Sequence, residues 1–180
     1  FSCIFTPSIK TSKIQGKTEM NEPIIRPIEK KDNPKIAAAI REVLVEHGVP
    51  KVGTAYEDAA LDCMFETYGN SKAIYFVVSQ GGVVLGGAGI ARLARYDGNI
   101  CELQKMYFTA ALRGKGIGQQ MIQKCLAAAL EFGYEACYLE TMTYMEAAQK
   151  LYTRNGFEYI EGPMGDTGHF SCPVHMLKKL

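Results

Sequence analysis

One segment constrains the fold of this chain more than any other. In it, a strand is followed by a basic, glycine-rich loop, and a long amphipathic helix begins directly after the loop. The strand is predicted at Ile100–Phe108 and the helix at Gly116–Phe132, with the loop sequence LRGKG at residues 112–116 between them. Glycine lets the backbone approach a ligand closely, and the first N–H groups of a helix have no acceptor inside it. Because the positive end of the helix dipole lies at the same place, this segment predicts a binding site for a pyrophosphate-type anion.

Three kinds of phosphate-binding loop are compatible with a glycine-rich helix start. A Rossmann fingerprint would need a third glycine where Gln119 stands, and a Walker loop would need Ser or Thr where Gly116 stands. The spacing Arg113-x-x-Gly116-x-Gly118 instead matches the [QR]-x-x-G-x-[GA] pyrophosphate signature, so this segment resembles the GNAT family of acetyltransferases. A simple turn before a helix can produce the same pattern, so this motif alone does not decide the family.

Two further segments carry the same resemblance. Residues 148–157, AQKLYTRNGF, are similar to the family pattern A-x-x-L-Y-x-x-x-G-F, and residues 102–108, ELQKMYF, resemble its central strand. The resemblance runs from about Ile24 to Leu180 in element order as well as in motifs. Met145 departs from the pattern, since the family often has an Asn there that contacts the pantetheine arm, and Phe108 replaces a more usual valine.

Hydrophobic periodicity and turn residues predict a single α/β domain over residues 20–180. We predict strands at 24–28, 73–79, 83–93, 100–108, 136–140, 157–160 and 174–177, and helices at 33–47, 54–68, 116–132 and 145–154. The resemblance implies the GNAT fold, a mixed, mostly antiparallel central sheet flanked by helices, with a splayed central strand pair. Residues 1–19 differ in composition and are interpreted as a disordered leader, added or read through, with a transit peptide as the less favoured alternative.

The resemblance also implies where acetyl-CoA binds. The main chain of the central strand would pair with the pantetheine arm, and one of its N–H groups would face the thioester oxygen. The side chains of Met106, Tyr107 and Phe108, taken alone, would be interpreted as ordinary core residues. The complete set of expected cofactor-binding residues is Met106, Tyr107, Phe108, Arg113, Gly114, Lys115, Gly116, Ile117, Gly118, Gln119 and Ala148.

Two residues are candidates for acid–base chemistry. Tyr152 stands at the family's general-acid position, where a phenol can protonate the departing coenzyme A thiolate, although a helix tyrosine can also simply pack its ring. Glu102 is the candidate base, because an amine must lose a proton before it attacks. Burying an acidic side chain in an apolar strand costs free energy, so its presence there indicates a specific role. A glutamate that is paired at the surface, or that only binds the charge of the substrate, is the alternative.

Several other residues are assigned structural roles. His169 and Cys172 could form a nucleophilic pair, but the family generally transfers the acyl group directly, so we interpret them as acceptor-side loop or packing residues. His47 is interpreted as a capping cation near a helix C-terminus. The third strand contains glycines that we expect to allow close sheet packing or to leave room for a ligand: Gly86, Gly87 and Gly89.

Composition narrows the function further. The formal net charge of +1 argues against nucleic acid and against a strongly anionic acceptor, and no apolar run is long enough to cross a bilayer. Six cysteines without a C-x-x-C pair favour a reducing, cytoplasmic location and no metal site. We therefore predict an N-acetyltransferase that uses acetyl-CoA on a small-molecule or protein amine, with a non-catalytic acyl-CoA sensor as the alternative. A homodimer is usual for such domains, although the sequence does not determine the oligomeric state.

Overall fold

The described part of the chain, residues 22–180 of a computed structural model, is built around a seven-stranded sheet with the order β1-β2-β3-β4-β5-β7-β6. The prediction for the leader at residues 1–19 lies outside the described residues. The strands are β1 Ile24–Pro27, β2 Ile74–Gln80, β3 Val83–Arg92, β4 Ile100–Phe108, β5 Ala136–Thr141, β6 Glu158–Ile160 and β7 Val174–Lys179. The α-helices are α1 Asn33–Glu46, α2 Met64–Thr67, α3 Ile117–Glu131 and α4 Glu146–Arg154.

The sheet is antiparallel except at its centre, where β4 and β5 are parallel. Their pairing begins at Ile100 and Ala136 and ends at Glu102 and Tyr138. Because β4 continues to Phe108, its second half has no strand partner on the β5 side. This confirms the predicted mixed sheet with a splayed central pair.

A bulge in β4 marks the start of this opening. Gly89 pairs with Gln104 while Gly87 pairs with Tyr107, so β4 contains one residue more than β3 in this interval. Lys105 takes up the extra length with a φ of 50°, and its carbonyl accepts a 2.8 Å hydrogen bond from the Tyr75 hydroxyl. A bulge turns a strand away from its neighbour, so it helps to keep β4 apart from β5.

The helices cover both faces of the sheet and create an apolar core on each. One core contains side chains of α1 and α2, including Ile40 and Met64, and the other contains side chains of α3 and α4, including Met121 and Tyr152. The predicted apolar face of α3 is confirmed by its buried residues, which are Ile117, Met121, Ile122, Cys125, Leu126, Ala128 and Ala129.

The second predicted helix is largely wrong. Residues 54–58 form turns instead of a capped helix start, and the Thr54 hydroxyl donates to the carbonyl of Pro50 at 2.6 Å. Asp58 caps a short 3-10 segment, Ala59–Cys63, by accepting from the N–H of Ala60. Only the last turn of the prediction is α-helical. The capping pattern at Thr54 therefore starts no helix, because the Thr54 hydroxyl bonds back to Pro50 and the cap forms at Asp58 instead.

Two expectations from composition can be compared with the described residues. The cysteines at 63, 101, 125, 137 and 172 are all free thiols, and three of them are buried. No helix within residues 22–180 has the length and apolar character needed to span a membrane.

Candidate active site

The glycine-rich loop ends in a left-handed cap on α3. Gly116 is the N-cap with a φ of 73°, a conformation that disfavours residues with a side chain. The first bond of the helix runs from the N–H of Gln120 to the carbonyl of Gly116, so the N–H groups of residues 117–119 have no acceptor inside the helix. A Cβ added at Gly116 would meet no atom within 4 Å. The loop therefore offers free donors, the positive end of a helix dipole and open space for an anion.

A groove of about 720 Å³ runs from this cap along the exposed edge of β4. Its walls come from the C-terminal turn of α1, from the second half of β4, from the loop before α3, and from α4. All of the expected cofactor-binding residues line it except Lys115 and Gln119. The Gln119 side chain instead exchanges two hydrogen bonds with Asn155, at 2.8 and 2.9 Å, and thereby ties α3 to the end of α4.

Arg113 lines the groove but has a protein partner. Its guanidinium donates to the carboxylate of Glu46, the last residue of α1, at 2.6 Å. This ion pair joins the glycine-rich loop to the opposite wall. The positive charge of Arg113 at the rim of the groove is therefore balanced by the carboxylate of Glu46. His47 follows as the C-cap residue of α1, where its backbone N–H donates to the carbonyl of Val43, and it also lines the groove.

Tyr152 lies where the groove reaches the gap between β4 and β5. It projects from α4, is 7% exposed, and packs its ring against Phe157 at a centroid distance of 6.0 Å. Its hydroxyl makes no hydrogen bond within residues 22–180, and burial raises the pKa of Tyr152 to about 12. The phenol is therefore protonated at neutral pH and available as a donor.

Glu102 occupies the last paired position of β4 before the strands separate. It is 3% exposed and accepts a 2.6 Å hydrogen bond from the amide of Gln104. Burial raises the pKa of Glu102 to about 7, the hydrogen bond from Gln104 opposes this rise, and the negative charge of Glu140 adds to it. A carboxylate with such a pKa can both take and release a proton near neutrality.

A second carboxylate that sequence reasoning missed stands beside Glu102. One carboxylate oxygen of Glu102, one of Glu140 and one ring nitrogen of His169 all lie within 4.8 Å of one another. Glu140 accepts hydrogen bonds from Tyr138 at 2.7 Å and from Thr167 at 2.8 Å. Burial and the charge of Lys105 lower the pKa of His169, so its imidazole is neutral at pH 7. The signal for Glu140 was present in the sequence, since it too is an acidic residue in an apolar strand.

A buried ion pair borders the same region. The Lys105 side chain is 5% exposed and reaches the Asp58 carboxylate at 2.6 Å. Lys105 stands at the bulge of β4, whereas Asp58 caps the short 3-10 segment before α2. Nothing local in the sequence indicated this pair, because it depends on how the turn at 54–58 folds over the sheet.

Two smaller cavities continue the groove through the gap. One of about 70 Å³ shares Tyr107 and Tyr152 with the groove, and one of about 330 Å³ under the loop 163–173 shares Glu140 and Cys172 with the first. Burial, with the charges of Glu140 and Glu102, raises the pKa of Cys172 to about 11. The N–H of Cys172 donates to the carbonyl of His169 at 2.9 Å. A thiol with this pKa is not a thiolate at neutral pH, which favours the packing role over a nucleophilic pair.

The glycines of β3 serve the packing of the sheet. A Cβ at Gly87 would lie 2.4 Å from the carbonyl oxygen of Phe76, and one at Gly89 would lie 2.6 Å from the ring of Tyr75 and 3.0 Å from that of Tyr68. Of the two roles considered, close packing applies at these positions, because tyrosine rings and backbone fill the space that a side chain would need.

Comparison with known proteins decides the family. The sequence model of the Acetyltransferase (GNAT) family matches residues 37–157, which includes the loop, Glu102 and Tyr152. The chain belongs to the GNAT acetyltransferase family. As members of this family transfer acyl groups from acyl-CoA, it is an acyltransferase, and the non-catalytic sensor loses its support.

Individual relatives agree with this assignment. The chain is 42% identical over 159 residues to the uncharacterized N-acetyltransferase YjgM of Escherichia coli K12, covering 88% of this acetyltransferase and 95% of YjgM. It is 34% identical over 84 residues to human N-acetylaspartate synthetase, covering 47% of this chain but only 26% of that protein. The PaiA N-acetyltransferase of Thermoplasma acidophilum, solved in complex with coenzyme A, has the same fold, with a TM-score of 0.68, 16% identity and coverage of 88% and 99% of the two chains.

Proposed function

We propose that this acetyltransferase transfers an acetyl group from acetyl-CoA directly to the primary amine of a small molecule. The observation that carries the proposal is the course of the groove. It begins at the free N–H groups of the α3 cap and ends at the opening between β4 and β5, where Tyr152 lines both the groove and the cavity beyond it.

The residues present fit coenzyme A. The α3 cap would hold the pyrophosphate, and the edge of β4 beyond Glu102, which lacks a strand partner, would pair with the pantetheine arm. When bound, acetyl-CoA supplies the acetyl thioester. Ala148 and Tyr152 of α4 would form the wall opposite β4.

The two ionisable groups divide the proton transfers between them. Glu102, with a pKa of about 7, would accept the proton that the attacking amine loses. A carbon–nitrogen bond forms as the carbon–sulfur bond breaks, and the leaving sulfur needs a proton, which the Tyr152 hydroxyl would donate. The high pKa of Cys172 supports direct transfer, because an acyl-cysteine intermediate would require its thiolate.

The shape of the acceptor side favours a small amine over a protein amine. The loop 163–173 and the turn around Gly53 meet over the acceptor side. The N–H of Ser171 donates to the carbonyl of Gly53 at 3.3 Å, and the Ser171 hydroxyl donates to the carbonyl of Val52 at 3.2 Å. The cavity between the strands holds only about 70 Å³. A lysine on a folded protein would have to pass these loops, whereas a metabolite enters more easily.

An amino acid is a specific candidate for the acceptor. The name of N-acetylaspartate synthetase states an acetylated amino acid as its product. Lys105 is the cationic side chain among the residues that line the cavity between the strands, and it could attract the carboxylate of such an acceptor in competition with Asp58.

An amine panel tests the proposal. Purified protein is incubated with acetyl-CoA and single acceptors: aspartate and other amino acids, diamines, simple alkylamines and a lysine peptide. Free thiol is followed over time and the acetylated product is identified by mass. We expect turnover with at least one small amine and weaker turnover with the peptide. Faster acetylation of the peptide would contradict the small-molecule assignment, and acetyl transfer to Cys172 without an acceptor would contradict direct transfer.

A further inference from the structure

A short chain of hydrogen bonds connects α2 to the carboxylate of Glu102. The Tyr68 hydroxyl donates to Oε1 of Gln104 at 2.6 Å, and Nε2 of the same amide donates to Oε2 of Glu102 at 2.6 Å. Gln104 and Glu102 are two residues apart on β4 and therefore lie on the same face of the strand. Neither the family signatures nor the mechanism above assigns a role to Tyr68 or Gln104.

Tyr68 is held firmly enough to fix the orientation of an amide. It is 5% exposed, its ring lies 5.1 Å from that of Tyr75, and it fills space left by Gly89. Its own segment is attached to α1, because the Asn33 side chain accepts from the N–H of Phe65 at 2.8 Å. Burial raises the pKa of Tyr68 well above its usual value, so the hydroxyl keeps its proton.

The amide of Gln104 has one donor end and one acceptor end, and the two ends have different consequences for Glu102. With the acceptor end toward the Tyr68 hydroxyl, the donor end faces Glu102 and stabilises an ionised carboxylate. If the amide turned over, its oxygen would face Glu102, which would then need a proton, and the Tyr68 hydroxyl would lose its acceptor. The observed contacts therefore favour the ionised carboxylate by a charge-assisted hydrogen bond.

We propose that Gln104 and Tyr68 are positioning residues of the acetyl transfer: Tyr68 fixes the Gln104 amide, and Gln104 holds Glu102 in its proton-accepting form. This inference rests on the proposed role of Glu102 as the base. It assigns to α2 a function at the active site, although α2 lies on the face of the sheet opposite to α3 and α4.

Other charged groups around Glu102 act in both directions. Glu140 of β5 disfavours the ionised form, whereas Lys105 favours it. Asp58 pairs with Lys105 and so cancels much of that support, and His169 is neutral at pH 7. The Gln104 amide is therefore the strongest contribution that opposes the burial of Glu102.

The pH dependence of kcat/KM, measured with one amine that the protein turns over, tests the chain of hydrogen bonds. The wild type should show an acidic limb near pH 7. Gln104→Met keeps the shape but removes the donor, so the limb should move up by about one to two pH units and the rate at pH 7 should fall about 5- to 50-fold. Tyr68→Phe should move the limb in the same direction by about half a unit, because the amide becomes free to turn. Both variants should regain most of the wild-type rate at alkaline pH.

Tyr134→Phe is the matched control. Tyr134 is also buried, at 3% exposed, and its hydroxyl donates to the carbonyl of Lys72 at 2.7 Å, away from the active site. This variant loses one tyrosine hydrogen bond and should leave the limb in place. A loss of rate that is equal at every pH in Gln104→Met and Tyr68→Phe would show a merely structural role and overturn the inference.

Glu102→Gln separates this outcome from a failure of the proposed mechanism. If the limb near pH 7 persists in Glu102→Gln, the base is another group and the mechanism itself is wrong; a rise in rate confined to alkaline pH, where free amine forms, is expected in this variant and is not that limb. If the limb disappears there but does not move in Gln104→Met or Tyr68→Phe, only the positioning role fails. Should Gln104→Met not fold, Tyr68→Phe decides the question alone, because it removes a single oxygen.

Discussion

The left-handed cap of α3 allows a sharp test of the proposed pyrophosphate site. Gly116→Glu would place a carboxylate at the start of α3, where the free N–H groups lie. Because an added side chain there meets no atom within 4 Å, the substitution disturbs the site without forcing a steric clash. Two costs should follow, strain from a φ of 73° and repulsion of the bound phosphates.

The two costs can be estimated separately. A side chain in the left-handed conformation costs about 1–2 kcal/mol, which should lower the melting temperature by roughly 2–8 °C in a domain of this size. A carboxylate some 4–5 Å from two phosphate charges at an exposed site should weaken binding by about 3 kcal/mol, or about a hundredfold in Kd. The first cost acts on stability with or without ligand, and the second acts only on binding.

Gly133→Glu is a control with the same strain and the same added charge. Gly133 lies at the other end of α3, has a φ of 78°, and would also place a Cβ with no atom within 4 Å. It is absent from the residues that line the groove and lies about 25 Å from Gly116 along the helix. Both variants should therefore lose comparable stability without ligand, apart from a small difference in the interaction with the helix dipole.

Thermal unfolding with and without acetyl-CoA is the assay. At a concentration one hundred times the wild-type Kd, the ligand should stabilise the wild type and Gly133→Glu by about 2.7 kcal/mol, or about 5–11 °C. At the same concentration Gly116→Glu should gain only about 0.4 kcal/mol, or about 1–2 °C. A ligand-induced shift in Gly116→Glu that equals the shift in Gly133→Glu would refute the assignment of the pyrophosphate to the α3 cap.

Three further predictions concern single residues. Tyr152→Phe should lower kcat by roughly ten- to a thousandfold while the acetyl-CoA-induced thermal shift persists, and a wild-type rate would remove Tyr152 from the mechanism. Glu102→Gln should lower kcat/KM about a hundredfold near pH 8, and this loss should become smaller toward pH 10, because more of the amine is already deprotonated there. An equal loss of kcat/KM at all pH values would indicate that Glu102 binds the substrate instead. Asp32 is 1% exposed and accepts from Arg26 at 2.6 and 2.9 Å, and this hydrogen bonding lowers its pKa. The pair therefore stabilises the fold above the unfolded pKa of about 4 and loses its effect as the pH falls through the folded pKa. Asp32→Asn should cost roughly 2 kcal/mol at pH 7 in denaturant unfolding, and the difference from the wild type should vanish at low pH; a difference independent of pH would exclude the ion pair as its cause.

The glycine-rich start of α3, which we propose binds the pyrophosphate, could be predicted as a structure because its properties are local. The end of β4, the glycine at position 116 and the amphipathic helix that follows are consecutive in the chain. A left-handed cap, unpaired N–H groups and a helix dipole arise from these residues themselves, whatever packs around them. The sequence alone therefore determined where the groove begins, and the family patterns extended this to Tyr152 on α4.

Other features were decided only by the tertiary structure. The partner of Arg113 is Glu46, which is 67 positions away in the chain, and Asp58, in the segment predicted as a helix, pairs with Lys105 of β4. The environment of Glu102 is the clearest case, since Glu140 comes from a neighbouring strand, His169 from a loop and Tyr68 from the turn that follows α2. A carboxylate in an apolar strand could be identified from the sequence, but its pKa could not, because burial and the charges of distant residues set that value only once the chain has folded.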